Sequence, residues 1–255
     1  MGNKGKGKIR LEVKMIYQEE YKIGVRGVEK NNLIRNKTIL EMLEDIACYH
    51  ADSIGYGILD IVKTRVSWVL LEWKVKIIKR PTYGEKLVVK TWARDIRKAT
   101  IYRDYEVYNK QGELIIIGTS KWVLVNIDTS KIAKMDEKVV SAHKIEEKCA
   151  FKEREIEKIE EPTSFMQTLE YTVQKRDIDF NNHMHNIYYL DLANDALPTE
   201  VYNNGPYNNI RITYKKATKL GDKVFCKYGE IENKHIIKII DKENKDHAII
   251  KLWND

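Results

Sequence analysis

The sequence predicts an α+β fold of two similar units in one chain, each a long helix wrapped by an antiparallel sheet. Three observations favour this class of fold. A polar loop followed by a helical pattern occurs twice, strand-like runs follow each occurrence, and a charge-dense stretch separates the two sets. A chain of 255 residues with 43% hydrophobic residues can bury a sizeable core, as one large domain or two small ones.

An internal repeat relates the two units. Residues 21–47 align with residues 171–197 at an offset of 150, and the stretches 80–89 and 216–225 each place a Gly-acid-Lys turn before an apolar strand. Because the elements follow the same order in both halves, the repeat indicates two copies of one structural unit. The identical pairs are Tyr21/Tyr171, Arg26/Arg176, Asn31/Asn181, Asn32/Asn182, Asn36/Asn186, Leu40/Leu190 and Asp45/Asp195.

The helix of the first unit is predicted to begin at Thr38. Thr38 and Glu41 have the spacing of a capping box, in which a hydroxyl caps the helix and a carboxylate lies three residues later. Gly55 and Gly57 should end the helix. Its apolar face comprises Ile39, Leu40, Met42, Leu43, Ile46 and Ala47.

Long antiparallel strands are predicted for the rest of the first unit. Apolar residues alternate with lysines from Trp73 to Ile77, and Asn109–Gly112 is typical of a hairpin turn. In the second unit, a helix should run from about Asn186 to Leu197 and stop at Pro198. Its strand-like runs are 208–216, 223–231, 235–241 and 247–253.

A helix that comes first and is then wrapped by a sheet is the hot-dog arrangement, and two such units would pack as a covalent pseudo-dimer. We expect an N-terminal hot-dog domain at 1–135, a charged linker with a short helix at 136–165, and a C-terminal hot-dog domain at 166–255. Since the two units already supply the pairing that single units achieve by dimerising, we expect a monomer or a homodimer.

Composition narrows the class of function. The net charge of +7 has no dense basic cluster behind it, so nucleic-acid binding is not predicted, while an acidic protein partner remains open. The three cysteines, Cys48, Cys149 and Cys226, form no CxxC pair, which indicates neither a disulfide framework nor a zinc site. No apolar run approaches the roughly 18 residues of a membrane span, and the start lacks the apolar core of a secretory signal. We expect a cytoplasmic protein without a cofactor.

The stretch from Arg176 to Leu190, RDIDFNNHMHNIYYL, concentrates acids, amides and histidines directly before the second helix. One interpretation is structural, because Asp and Asn are common in turns and helix caps. In an extended segment, however, alternate side chains point the same way, so Asp179, Asn181 and His183 would converge on one side.

Three chemical interpretations remain for this stretch. A metal site at His183 and His185 lacks a third ligand at familiar spacing. A nucleophile is not indicated, because no GxSxG motif occurs and both Cys48 and Cys226 are better explained as core residues. The third is hydrolysis, with a carboxylate as base or nucleophile and the N–H groups at the start of a helix holding a developing oxyanion. Asp179 would be that carboxylate.

The stretch DIDFNNHMHNIYYL resembles the D-x-D-x-N-x-H-x-x-N-x-x-Y segment of the acyl-acyl-carrier-protein (acyl-ACP) thioesterases of plants and bacteria, and the resemblance extends over nearly the whole chain. It implies hydrolysis of acyl-ACP to a free fatty acid and the carrier protein, which terminates fatty acid synthesis. By matching positions it implies that Asp179, Asn181 and His183 are the catalytic set, with no metal. His185, Asn186 and Thr218 are expected to support the oxyanion or the start of the helix.

The sequence departs from the family at one position of the site. The family's strand motif after the helix commonly carries an acid, and the matching place here is Ala217-Thr218. Either the acid is not essential, or Thr218 or another group substitutes, or the protein is slow or altered. A four-residue mechanism is therefore not predicted.

The repeat predicts one active site per chain. In the first unit, Glu29 aligns with Asp179, and Leu33 takes the place of His183. The resemblance assigns burial of the acyl chain to this unit and an acidic, phosphopantetheine-bearing carrier as partner, which suits the positive charge. Alternatives left open are a hot-dog acyl-CoA thioesterase, a non-enzymatic acyl-thioester binding protein and, less strongly, a hydratase.

Overall fold

The computed structural model describes residues 16–255 as two units of helix and antiparallel sheet. The helices are α1 (Asn36–Ser53), α2 (Ile61–Thr64), α3 (Glu137–His143), α4 (Tyr188–Ala196) and α5 (Thr199–Asn203). The strands are β1 (Tyr17–Lys22), β2 (Val66–Ile77), β3 (Lys86–Arg97), β4 (Thr100–Asn109), β5 (Leu114–Asn126), β6 (Lys131–Ile132), β7 (Met166–Thr172), β8 (Asn209–Tyr214), β9 (Lys223–Ile231), β10 (Lys234–Ile240) and β11 (Asp246–Trp253).

The strands of both units join in one antiparallel sheet. Their order is β1-β3-β4-β5-β2-β8-β11-β10-β9-β7, with β6 beside β5. Strands β2 and β8 connect the units, with Glu72 opposite Thr213 and Lys76 opposite Asn209. Helix α1 packs on β1 and β3, and α4 packs on β7, β9, β10 and β11. The predicted double hot-dog fold is confirmed.

One hydrophobic core runs through both units. It contains Leu40 and Leu43 of α1, Trp73 of β2, Leu190 of α4 and Ile250 of β11, all at most 2% exposed. Because removing such side chains from water is the main favourable contribution to folding, the two units stabilise each other through this shared core.

The repeat predicted from the sequence is present in the backbone. Glu29 and Asp179 each donate their N–H to the carbonyl four residues later, at 2.9 and 2.8 Å. Gly84 and Gly221, in the matching turns before β3 and β9, both have a left-handed φ, of 81° and 83°. Such angles favour glycine, so the sequence similarity reflects a shared loop geometry.

Both helices begin at positions other than those expected. Helix α1 starts at Asn36, so Thr38 is not its cap; Thr38 is buried within the first turn, where it packs on Gly27. Helix α4 starts at Tyr188 rather than Asn186, because the intervening N–H groups bond within the preceding turn. The end of α1 agrees with the expectation, since Gly55 follows it with a φ of 80°.

The charged stretch between the units contains the expected short helix. Asp136 caps α3 by accepting the N–H of Val139 at 3.0 Å. Further along, the carbonyl of Glu157 accepts hydrogen bonds from Arg211 of β8 at 3.1 and 2.9 Å. The boundaries 1–135, 136–165 and 166–255 stay a prediction.

In the described part of the chain, no helix is long and apolar enough to cross a membrane. The N-terminal stretch for which the sequence predicts no secretory signal, Met1–Val13, lies outside the described residues.

Candidate active site

The polar loop before α4 folds as a tight turn around Asp179. Its carboxylate oxygen Oδ1 accepts the backbone N–H of Asn181 at 2.8 Å and of His183 at 3.1 Å. The Asp179 N–H donates to the His183 carbonyl at 2.8 Å, and Asn182 adopts a left-handed φ of 60°. The acid thus fixes the loop in which it lies.

The turn corrects the expectation of an extended segment. Residues 179–183 form no strand, because the Asp179 side chain bonds the backbone on both sides of the tip. Strand alternation therefore does not place the three predicted residues. The turn leaves Asn181 exposed and Asp179 and His183 partly buried. No residue in the range 16–255 donates a hydrogen bond to the second carboxylate oxygen of Asp179, Oδ2.

A buried acid, Asp177, holds the turn in place and was not predicted from the sequence. Its Oδ2 accepts the hydroxyl of Tyr171 and the N–H of Gln174, both at 2.7 Å. Its carbonyl accepts the N–H of His185 at 2.8 Å. The signal available in the sequence was the D-x-D spacing, in which the first acid fixes the loop beneath the second.

Two of the three supporting residues, Thr218 and Asn186, hold the loop through their backbone carbonyls. Thr218 is fully buried; its carbonyl accepts the N–H of Met184 at 2.9 Å, and its hydroxyl bonds Tyr189 at 3.0 Å. The carbonyl of Asn186 accepts the hydroxyl of Tyr214 at 3.1 Å. Thr218 therefore secures the loop from within the core, while Ala217 beside it is exposed.

The start of α4 offers fewer free donors than the sequence suggested. The N–H of Ile187 donates to His185 Nδ1 at 3.3 Å, and the N–H of Tyr188 donates to the His185 carbonyl at 3.0 Å. The N–H of Tyr189 donates to the Asn186 carbonyl at 3.3 Å. These three groups cannot hold an oxyanion without leaving their present acceptors.

Helix α1 of the first unit brings acids to the loop of the second. Oε1 of Glu44 lies 3.8 Å from Nε2 of His185. Burial, followed by the charges of Asp45, Asp179 and Glu41, raises the pKa of the Glu44 carboxyl to about 8. Burial also lowers the pKa of the His185 imidazole, against the opposing effects of Asp179 and Asp45.

Sequence reasoning missed Glu44, although one signal was available. Glu44 interrupts the apolar face of α1 between Leu40, Leu43 and Ala47, which are all buried. A carboxylate at such a position would be costly to bury unless it is protonated or paired. Its proximity to the second loop depends on the packing of the two units, which the helix pattern does not contain.

The matching loop of the first unit is held by a different set of groups. Arg80 donates to the carbonyls of Ile34 at 2.8 Å and Tyr207 at 2.7 Å, and Asn36 also bonds Tyr207, at 3.0 Å. The neighbouring carbonyl of Pro81 accepts the N–H of Ile34, as Thr218 does for Met184 in the second unit. Arg80 therefore occupies the place of Ala217, and this loop serves the contact between units.

A cavity of about 420 Å³ lies beside the first-unit loop rather than at the predicted catalytic residues. Glu29 and Arg35 line one side, Asn194 and Asp195 of α4 line the other, and Lys37 pairs with Asp191 across it. Tyr171, Arg176, Asp177 and Met184 of the second unit also line the cavity, so it lies between the two units.

In the range 16–255, no group of three or more His, Cys, Asp and Glu side chains is arranged to hold a metal ion. The two ring nitrogens of His185 face the N–H of Ile187 and the carboxyl of Glu44.

Two hot-dog units with an acid-amide-imidazole loop before the second helix define the class of double hot-dog proteins. Comparison with known families is more specific. The models of the acyl-ACP thioesterase N-terminal domain and C-terminal domain match residues 14–143 and 160–255. The chain belongs to the acyl-ACP thioesterase family, as its loop predicts.

Individual relatives are distant in sequence. Oleoyl-acyl carrier protein thioesterase 1, chloroplastic, of Arabidopsis thaliana is 24% identical over 225 residues, which are 82% of this chain and 62% of that protein. A palmitoyl-acyl carrier protein thioesterase of Cuphea hookeriana is 21% identical over 214 residues, 79% of this chain and 52% of its own length. The chain thus spans less than two thirds of these curated relatives.

Solved structures share the fold over nearly the whole chain. An acyl-ACP thioesterase from Bacteroides thetaiotaomicron has a TM-score of 0.80 at 22% identity, covering 94% of this chain and 97% of its own. The 12:0-ACP thioesterase from Umbellularia californica has a TM-score of 0.82 at 18% identity, with the same coverage of both chains.

Proposed function

We propose that the protein hydrolyses the thioester of acyl-ACP, releasing a free fatty acid and the carrier protein and so terminating fatty acid synthesis. The observation that carries the proposal is the Asp179 turn of the second unit, in a chain matched by both domain models of the family. In the first unit Leu33 replaces the imidazole, so we assign one active site to each chain.

Asp179 is the proposed base. Two N–H groups hold its Oδ1, which leaves Oδ2 to accept a proton from water. The resulting hydroxide attacks the thioester carbonyl and the C–S bond then breaks. The sulfur leaves with the electron pair and takes up the proton held by Asp179, which forms the carrier's thiol and restores the carboxylate. Asn181 and His183, at the tip and end of the same turn, orient the water and the substrate.

The carrier protein is the proposed partner. Phosphopantetheine carriers are acidic, and Lys175 and Arg176 are exposed directly before the Asp179 turn, within a chain of net charge +7. These cations would attract an acidic surface to the mouth of the site. The first unit, whose helix α1 faces this loop, is the proposed place for the acyl chain.

The decisive experiment compares Asp179→Asn with wild type on acyl-ACP. The amide keeps an oxygen for the two N–H groups but cannot take a proton, so kcat/KM should fall roughly 10³-fold, as for loss of a general base. Glu29→Gln, at the matching position of the first unit, is the control and should retain wild-type activity. Acyl-ACP that binds without being hydrolysed would overturn the enzymatic assignment.

Acyl-CoA of the same chain length separates the two thioesterase assignments. We expect acyl-ACP to be hydrolysed with the higher kcat/KM, because the acidic surface of the carrier offers more contacts to the exposed cations before the loop than the phosphates of CoA do. A clear preference for acyl-CoA would reject acyl-ACP as the substrate.

A further inference from the structure

The side chain of Glu44 is largely buried, which is unusual for a carboxylate. It is 17% exposed, and its Oε2 is buried without a hydrogen-bond partner among the described residues. Its Oε1 faces Nε2 of His185 at 3.8 Å, across the boundary between the two units. An unpaired buried carboxylate is costly, so this side chain is stable there as the neutral acid.

The hydrogen bonds of His185 determine which of its nitrogens carries the proton. Its Nδ1 accepts the N–H of Ile187 at 3.3 Å, so the neutral imidazole is protonated at Nε2. The Nε2 atom lies 3.8 Å from Glu44 Oε1, and an approach of about 0.6 Å would close a hydrogen bond. The acid and the imidazole are complementary when both are neutral.

The repeat shows that Glu44 changes together with the reaction centre. At the offset of 150, Glu44 corresponds to Asn194, just as His183 corresponds to Leu33. Asn194 and Glu29 line the cavity at the first-unit loop. The carboxyl of Glu44 therefore lies beside the loop that carries His183 and His185, whereas the loop with Leu33 and Arg35 at those positions has Asn194 on the corresponding helix.

We propose that Glu44 is a positioning residue of the active site, a neutral carboxyl from the first unit that holds the His185 imidazole and leaves the negative charge beside it on Asp179. The role rests on the proposed function. Hydrolysis builds negative charge on the carbonyl oxygen of the substrate, and a second carboxylate near that charge would oppose it. Neutral Glu44 avoids this repulsion, whereas ionised Glu44 would slow the reaction.

The ionisation of Glu44 depends on groups from both units. Burial is the largest influence on its pKa, which lies at about 8, and the acids around it act in the same direction. The titratable groups that face it are Glu41, Asp45 and Cys48 on its own helix, Asp179 and His185 on the loop, and Tyr214 on β8. Lys37 is the cation acting on His185 from the same helix.

The test is the pH profile of kcat/KM on acyl-ACP from pH 6 to 9.5 for wild type and Glu44→Gln. Wild type should lose activity through an alkaline limb with a midpoint near 8, as Glu44 ionises. Glutamine keeps an oxygen toward His185 but cannot ionise, so this limb should vanish and the variant should exceed wild type roughly tenfold at pH 9. Glu41→Gln, one turn away, is the control and should keep the limb. An unchanged limb in Glu44→Gln overturns the proposal.

A second measurement does not need catalysis. The imidazole C–H resonance of His185 should show a titration step near pH 8 in wild type, which Glu44→Gln removes, whether or not acyl-ACP is hydrolysed. If wild type lacks this step, the proposal about Glu44 fails. If the step is present but acyl-ACP is not hydrolysed, the proposed function fails while the contact between Glu44 and His185 stands. Matching thermal unfolding midpoints show that the variant is folded.

Discussion

At the scale of residues, asparagines at equivalent positions of the two loops make different hydrogen bonds. Asn32 and Asn182 share the left-handed conformation that closes each turn. Asn36 bonds the carbonyl of Tyr207 and so joins the units, while the backbone of Asn186 supports the second loop. These repeated asparagines thus serve the fold, whereas His183 has no counterpart in the first loop.

Asp177 should be essential to the shape of the second loop. In Asp177→Ala, the hydroxyl of Tyr171 and the N–H of Gln174 lose their acceptor, and the expected loss of unfolding free energy is about 2–3 kcal/mol. Urea denaturation measures it. Asp128→Ala, which removes an exposed ion pair with Arg65, should cost less than about 1 kcal/mol. Equal losses in both variants would contradict the structural role of Asp177.

Two buried histidines should make stability depend on pH. Burial first, and then the charge of Arg103, lower the pKa of His50 to about 3 and of His143 to about 4. Both are neutral when folded, but the unfolded chain protonates them below about pH 6.5. Stability is therefore complete above that pH and falls as the pH drops toward 4, by about 2 kcal/mol per histidine between pH 7 and 5.

The measurement is urea unfolding of wild type and His50→Gln at pH 7 and pH 5. The variant should lose less stability on acidification than wild type, by about 2 kcal/mol, because one of the two buried imidazoles is gone. An unchanged difference between the two pH values would show that His50 is not the group responsible.

At the scale of elements, the sequence predicted the helices and strands but not how their ends are held. Apolar spacing is a local property, so α1 and the long strands followed from it. Thr38 was misjudged as a cap because its burial depends on Gly27, which a loop folds back against it. Glu44 was missed because its contact with His185 forms only when α1 packs against the other unit.

The β2–β8 junction should depend on Arg211. Its guanidinium bonds the Trp73 carbonyl at 3.0 Å and the Glu157 carbonyl at 2.9 Å, and it pairs with Glu72. Arg211→Ala leaves Glu72 paired with Lys121 alone and removes the donor to two carbonyls, with an expected loss of about 2–3 kcal/mol in urea unfolding. Lys76→Ala, on the partner strand β2 and in an exposed pair, should change stability by less than about 1 kcal/mol. A small effect at Arg211 would mean that the strand ladder alone joins the units.

At the scale of the whole molecule, the two-fold repeat is preserved in the backbone, but the side chains at the predicted catalytic positions differ between the two units. The Asp179 loop lies against Glu44 of α1, whereas Glu29 and Asn194 of α4 line the same cavity. The sequence predicted a difference between the two loops, because Leu33 takes the place of His183 in the first unit. The sequence could not predict that the helices next to the two loops also carry different side chains there, because this comparison depends on how the two units pack.

The broken symmetry predicts one substrate site per chain. A non-hydrolysable thioether analogue of acyl-ACP should bind with one equivalent per chain in isothermal titration calorimetry. Asp179→Asn should keep this stoichiometry, since it removes the base and not the surface that receives the carrier. Two equivalents of equal affinity would show that the first-unit loop also receives substrate.

The covalent joining of the two units has a consequence for mass action. A site built from the helix of one unit and the loop of another would, in a pair of separate chains, fall apart on dilution. Here both parts belong to one polypeptide, and β2 pairs with β8 between them, so their encounter is intramolecular. The reaction centre should therefore be as complete at nanomolar as at micromolar protein, and its specific activity should not vary with protein concentration.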